Sequence, residues 1–121
     1  MADIQVQRVH DSQTPRRGRV FLVDGMWPRG VRKDSLALDG WLRDLAPSKE
    51  LRQWFGHRKE RFEGFREGYW QELDQADEAL DPLFDAARNG PVTLLYAAKD
   101  TEHNNAVVLR EYLEHHLQER K

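Results

Sequence analysis

The chain has 121 residues, 19 Lys plus Arg against 21 Asp plus Glu, and a net charge of −2. That length supports one core removing roughly two-thirds of the unfolded surface from water, not two, and the charge supplies no overall field to draw in nucleic acid or an anionic membrane. With no cysteine in the sequence, thiol nucleophiles, disulfides and cysteine-bearing metal sites are excluded.

The residues after Met1 alternate in polarity; they show no basic region followed by an apolar run, and no apolar stretch is long enough for a membrane span. The expectation is a cytoplasmic, single-domain protein over residues 1–121. Ile4 and Val6 alternate with Gln5 and Gln7, the period of a strand with one wet face at a sheet edge. Val20 to Val23 and Val92 to Ala97 are apolar on successive residues, as strands covered on both faces would be. That pattern predicts helices on both sides of the sheet.

Between those strands lie about seventy residues rich in helix formers. A helix over about Leu36–Leu45 would share a face among Leu38, Trp41, Leu42 and Leu45, ending at Pro47. Ser48 is placed to cap a short helix carrying Leu51, Trp54 and Phe55. From about Lys59 to Leu73, Phe62, Phe65, Tyr69 and Leu73 recur at helical spacing; two shorter helical segments follow around Ala79–Arg88. A last helix, about Asn104–Glu119, would bury Val108, Leu109, Tyr112, Leu113 and Leu117. The pattern is α/β: a small sheet of about three strands, two central ones parallel. Only a short turn separates the first two strands, which favours antiparallel pairing for them.

Ligands of open α/β sheets bind beyond the carboxyl ends of parallel strands. Two loops fall there. Asp24-Gly25-Met26-Trp27-Pro28-Arg29-Gly30 is stiffened by Pro28 and presents Arg29, whose planar fork of donors suits a carboxylate or phosphate. Lys99-Asp100-Thr101-Glu102-His103-Asn104-Asn105 leads into the last helix, whose amino end favours anions. The plainer reading is that Trp27 plugs the core, Arg29 pairs with an acid, and Thr101 or Asn104 only caps the helix. Neither loop has the glycine fingerprint of a P-loop or dinucleotide site. Asp100 and His103 would need a third ligand to hold a metal, and none is expected; no cofactor is expected either. Ser12, Ser35 and Ser48 sit in turns or cap positions, and His57 in a charged, solvated segment, so no nucleophile stands out.

Residues 1–66 carry 14 basic and 9 acidic groups, and residues 67–121 carry 5 and 12. Near-neutrality is thus a cancellation between a basic and an acidic half. Three readings stay open: a pocket for a small anionic ligand; a non-catalytic module using its basic half on nucleic acid or an acidic protein, the less favoured choice; and a self-associating structural protein whose halves meet across a symmetric interface. The residues decide neither oligomeric state nor whether the protein is an enzyme.

The stretches Val23 to Val31, Leu36 to Trp41, Leu45 to Arg52 and Leu94 to Asp100, the W-P-R-G loop above all, resemble the YeaO-like family of uncharacterised bacterial proteins, a domain of unknown function (DUF 488). The resemblance covers nearly the whole chain and implies a small cytoplasmic α/β fold. Asp24, Trp27, Pro28, Arg29, Gly30, Lys99 and Asn104 match its pattern. The family usually has Arg where this chain has Gly25, and often His where it has Asn105; the resemblance implies lost or altered activity if those two belong to a catalytic set, and a pocket still held by Arg29 and Lys99 if they only shape an anion site. The expected site is an anion pocket of Asp24, Trp27, Arg29, Lys99, Asn104 and Asn105, with Asp24 the candidate base or orienting carboxylate.

Overall fold

A computed structural model describes residues 3–11 and 13–119. In chain order these form β1 (Ile4–Arg8), β2 (Arg19–Leu22), β3 (Gly40–Trp41), α1 (Lys49–Phe55), α2 (Phe62–Asp74), α3 (Asp77–Asn89), β4 (Val92–Tyr96) and α4 (Asn105–Glu119), with short 3₁₀ turns at Lys33–Ser35, Arg43–Leu45 and Lys59–Arg61. The strands lie in the order β1-β4-β2-β3 and every neighbouring pair is parallel. The fold is α/β, with four strands among the described residues rather than about three. β4 is buried at all five positions and occupies the inside of the sheet, and β1 lies at an edge, as their patterns predict.

The expected antiparallel pairing of the first two strands is wrong. Ile4 and Arg19 both sit opposite Val92, so β1 and β2 run parallel on either side of β4. The ten residues from Val9 to Gly18 can extend to about 33 Å, longer than the return path past one short strand, so no helix is needed to cross. Polar side chains on the sheet fasten this crossing segment. The Arg17 N–H donates to Thr93 Oγ1 at 2.9 Å, and that hydroxyl donates to the Arg17 carbonyl at 2.8 Å. Gln7, itself buried, donates to the carbonyls of Asp11 and Thr14. Ser12 lies outside the described residues.

The two faces of the sheet are covered differently, which corrects the expectation of helices on both. Phe21, Val23, Val92, Leu94 and Tyr96 meet the helices in a core with Phe65, Tyr69, Leu83, Leu109 and Leu113. Val20, Leu22 and Leu95 point the other way and are roofed by irregular chain carrying Trp27, Val31, Leu36, Leu38 and Trp41. The predicted Leu36–Leu45 helix is part of that roof and is not a helix. Gly40, a poor helix former, lies in β3. The Asp39 N–H donates to the Val20 carbonyl and Asp39 Oδ2 accepts from the Val20 N–H, both at 2.7 Å, while the Leu42 N–H reaches the Leu22 carbonyl at 2.8 Å. Extended backbone splits the supposed single face: Leu38 and Trp41 join one core, Leu42 and Leu45 the other.

The two expected segments around Ala79–Arg88 are one helix, α3, which runs through Pro82. Pro82 sits on the exposed side, where the carbonyl that loses its partner is open to water. Leu80, Leu83, Phe84, Ala86 and Ala87 anchor the opposite face.

Ser48 caps α1 as expected, accepting from the Leu51 N–H at 3.2 Å; its own N–H donates to Glu72 Oε1 at 2.8 Å. Replacing Ser48 with alanine should cost about 1 kcal/mol in urea unfolding. An unchanged midpoint would show that the cap contributes nothing to stability.

Candidate functional site

The carboxyl ends of β2 and β4 release two loops side by side. After β2, the Val23 N–H still bonds the Leu95 carbonyl at 3.1 Å, which keeps Asp24 against β4. Asp24 Oδ2 accepts from the Ala97 N–H at 2.9 Å, and Oδ1 accepts from Asn105 Nδ2 at 3.1 Å. Asn105 Nδ2 also donates to the Val23 carbonyl at 3.1 Å. One carboxylate and one amide therefore stitch the two loops together.

Trp27 packs edge-on to Trp41, centroids 5.4 Å apart, and donates from Nε1 to the Val31 carbonyl at 2.6 Å. Trp41 Nε1 donates to the Asp24 carbonyl at 2.8 Å. With both indoles locked, Pro28 is buried and Arg29 stands exposed at the tip. In the second loop, Asn104 is buried: its Nδ2 donates to the Asp100 carbonyl at 2.9 Å and its Oδ1 accepts from the Val107 N–H at 3.0 Å. Asn104 is thus the cap of α4.

Between the loops and the start of the helical layer is a cavity of about 550 Å³. Of the sequence-derived residues, Asp24, Trp27, Arg29, Asn104 and Asn105 line it; Lys99 does not, and is exposed to solvent. Sequence reasoning missed Arg52 and Phe55 of α1 and Phe65 of α2, and left His103 out of the expected site although it named the loop; it read His57 as solvated surface, whereas His57 is both exposed and part of the lining. The Ser48 cap was the one available signal for α1, since it sets where that helix starts. Nothing local says that its far end closes a cavity.

Two guanidiniums, Arg29 and Arg52, border the cavity from exposed positions, without a side-chain partner among the described residues. Several other arginines of the basic half are engaged: Arg17 pairs with Asp3, Arg32 with Asp34, Arg66 with Glu63 and Glu111, and Arg16 bonds the Val9 carbonyl. Among these ion pairs only Arg66–Glu111 joins the basic half to the acidic one.

Burial pushes the Asp24 carboxyl above its ordinary value; the Asn105 amide, the Ala97 N–H and the Arg52 charge oppose this. Asp100 goes the other way, to about 2, held down by the N–H groups of Glu102 and His103 and then by the His103 ring. The Tyr69 hydroxyl, buried and near Asp24 and Glu72, is pushed up and donates to the Leu45 carbonyl. A carboxyl-detected NMR titration should find Asp24 titrating above 3.8 and Asp100 near 2. Asp24 is then a group whose favourable contribution to stability is complete below 3.8 and is lost as pH rises through its folded value. The reverse order of the two titrations would contradict the geometry.

Each Asp24 oxygen accepts one hydrogen bond, and no serine, threonine, tyrosine or lysine occurs among the described residues lining the cavity. Asp100 and His103 are hydrogen-bonded to each other, and no group of three His, Asp or Glu side chains among the described residues is arranged to hold a metal ion. None of their helices is long and apolar enough to cross a membrane.

These features define a small α/β protein with an all-parallel sheet and a pocket at its carboxyl edge. The chain belongs to the family described as the inactive DUF488-N3 subclade, which matches residues 3–121. It is 43% identical over 111 residues to the uncharacterized protein YeaO of Escherichia coli strain K12, covering 92% of this chain and 96% of that one. It is 38% identical over 110 residues to uncharacterized proteins of Mycobacterium bovis (Mb3100c) and Mycobacterium tuberculosis (Rv3073c), covering 91% of this chain and 92% of each. No solved structure matches.

Proposed function

We propose that the protein binds a small anionic ligand, a phosphate or carboxylate compound, in the carboxyl-edge pocket without turning it over. The observation that carries this reading is the pairing of two unpartnered guanidiniums, Arg29 and Arg52, with a cavity walled by Trp27, Phe55 and Phe65. Such a wall shields one side of a bound anion from water, while the two exposed guanidiniums reach it from the rim. The description of the family as inactive supports the non-catalytic half of the reading, and so does the state of Asp24. A general base must be free to reach its proton; Asp24 is held by the Ala97 N–H and the Asn105 amide.

The test is a titration with inorganic phosphate followed by amide and guanidinium NMR. Selective shifts are expected at Arg29, Arg52 and Asn105. Shifts scattered over the surface arginines, or none at all, would refute the pocket as an anion site.

A further inference from the structure

His103 is held unlike any other polar group of the cavity. Its Nδ1 lies 3.2 Å from Asp100 Oδ1 and 3.1 Å from Oδ2, and Oδ1 also accepts from the N–H groups of Glu102 and His103. Those donors keep Asp100 ionised, and an ionised carboxylate only accepts, so the proton of the shared bond sits on Nδ1. In the neutral ring Nε2 is then a bare lone pair. Phe62 packs edge to face against the imidazole at 5.0 Å, which fixes its plane. The side chain is 28% exposed and lines the cavity, and Nε2 has no hydrogen-bond partner among the described residues.

An acceptor among cations changes what the pocket should hold. The charged and titratable groups sharing the cavity with His103 are Asp24, Arg29, Arg52 and His57, with Asp100 behind the ring. Asp24 already accepts one hydrogen bond at each oxygen and His57 stands at the exposed rim, so His103 Nε2, its ring held by Asp100 and Phe62, is the oriented acceptor placed to meet a ligand proton. An oxyanion that retains an O–H can satisfy guanidiniums and lone pair together. One without a proton places an oxygen lone pair against the nitrogen lone pair, and leaves a polar group unpaired.

We propose that His103, oriented by Asp100, is the proton-accepting member of the anion site, and that the site selects hydrogen phosphate over sulfate. The inference rests on the anion-binding reading and adds the ligand class: an oxyanion that still carries a proton.

The test is calorimetric titration with sodium phosphate and with sodium sulfate at matched ionic strength and about pH 8. Hydrogen phosphate still carries an O–H under those conditions; sulfate does not. The unaltered protein should bind phosphate at least about tenfold more tightly. Asp100→Asn keeps Oδ1 as acceptor for the two backbone N–H groups but sets an NH₂ against Nδ1. The ring proton then moves to Nε2, and sulfate should bind at least as well as phosphate. His103→Phe, a second variant without an acceptor, should bring the two anions within about twofold of each other. Equal affinities in the unaltered protein, or a phosphate preference that survives both substitutions, would overturn the inference while leaving the anion pocket standing. Absence of heat with either anion would overturn the pocket reading and this one together.

Discussion

Gly18→Ala should destabilise the protein by about 3 kcal/mol, well beyond the ordinary loss for a surface substitution. Gly18 has φ +62°, and a Cβ there would sit 1.8 Å from the Pro91 carbonyl oxygen, which is backbone and cannot swing aside. Left-handed backbone alone costs an L residue roughly 1–2 kcal/mol; relieving the clash would also pull apart the Arg19 N–H bond to the Pro91 carbonyl at 3.1 Å and the neighbouring clasp of Arg17 on Thr93. Gly30→Ala is the control, because Gly30 has φ +75° but nothing within 4 Å of the added Cβ. It should lose only about 1 kcal/mol, the backbone term by itself. Urea unfolding of the two variants checks this, and equal losses would mean that the crossing segment does not lie on Pro91.

The second large effect concerns binding. Arg29→Ala and Arg52→Ala combined should weaken phosphate binding about 30-fold, or about 2 kcal/mol. A charge-assisted hydrogen bond contributes about 1.5–3 kcal/mol when sheltered. Both guanidiniums are exposed, so water screens each to about 1 kcal/mol. The fold should tolerate both changes, since neither side chain has an internal partner among the described residues. Lys99→Ala, by contrast, should leave affinity within about twofold, because an exposed charge away from the cavity acts only through a screened field. Calorimetric titration of the variants separates the two cases. Equal losses from Lys99→Ala and from the arginine pair would point to unspecific attraction by net charge.

The strands were legible where burial is uniform. Val92 to Tyr96 is buried at every position, which a run of apolar residues announces directly. The arrangement of the strands was less legible, because the chain gives the length of a connection and not its path; the Val9–Gly18 segment is short for a helical crossover and sufficient for an extended one. Periodicity misled at Leu36–Leu45. Apolar residues were read there at helical spacing, but the contest was decided by Gly40 and by Asp39, whose backbone and carboxylate both bond Val20.

For the site, one loop position was legible because the fold rule places ligands at strand ends: Asp24, Trp27, Arg29, Asn104 and Asn105 all line the cavity. Lys99 is in the right loop, yet it is exposed outside the lining. Arg52 and His57 reach the same space from α1 and the turn after it, a convergence set by how α1 packs on α2 rather than by any local pattern. The Asp100–His103 spacing was legible, and was weighed only as half of a metal site that was not expected. In the structure the two side chains are hydrogen-bonded to each other, with Nδ1 3.1 Å from Asp100 Oδ2.

A crystal of the unaltered protein soaked in phosphate addresses the pocket most directly. A tetrahedral anion is expected inside the cavity, within hydrogen-bond reach of the Arg29 and Arg52 guanidiniums, with Asp24 still bonded to the Ala97 N–H and Asn105. Phosphate found only on the outer arginines, with water alone between the two loops, would contradict it.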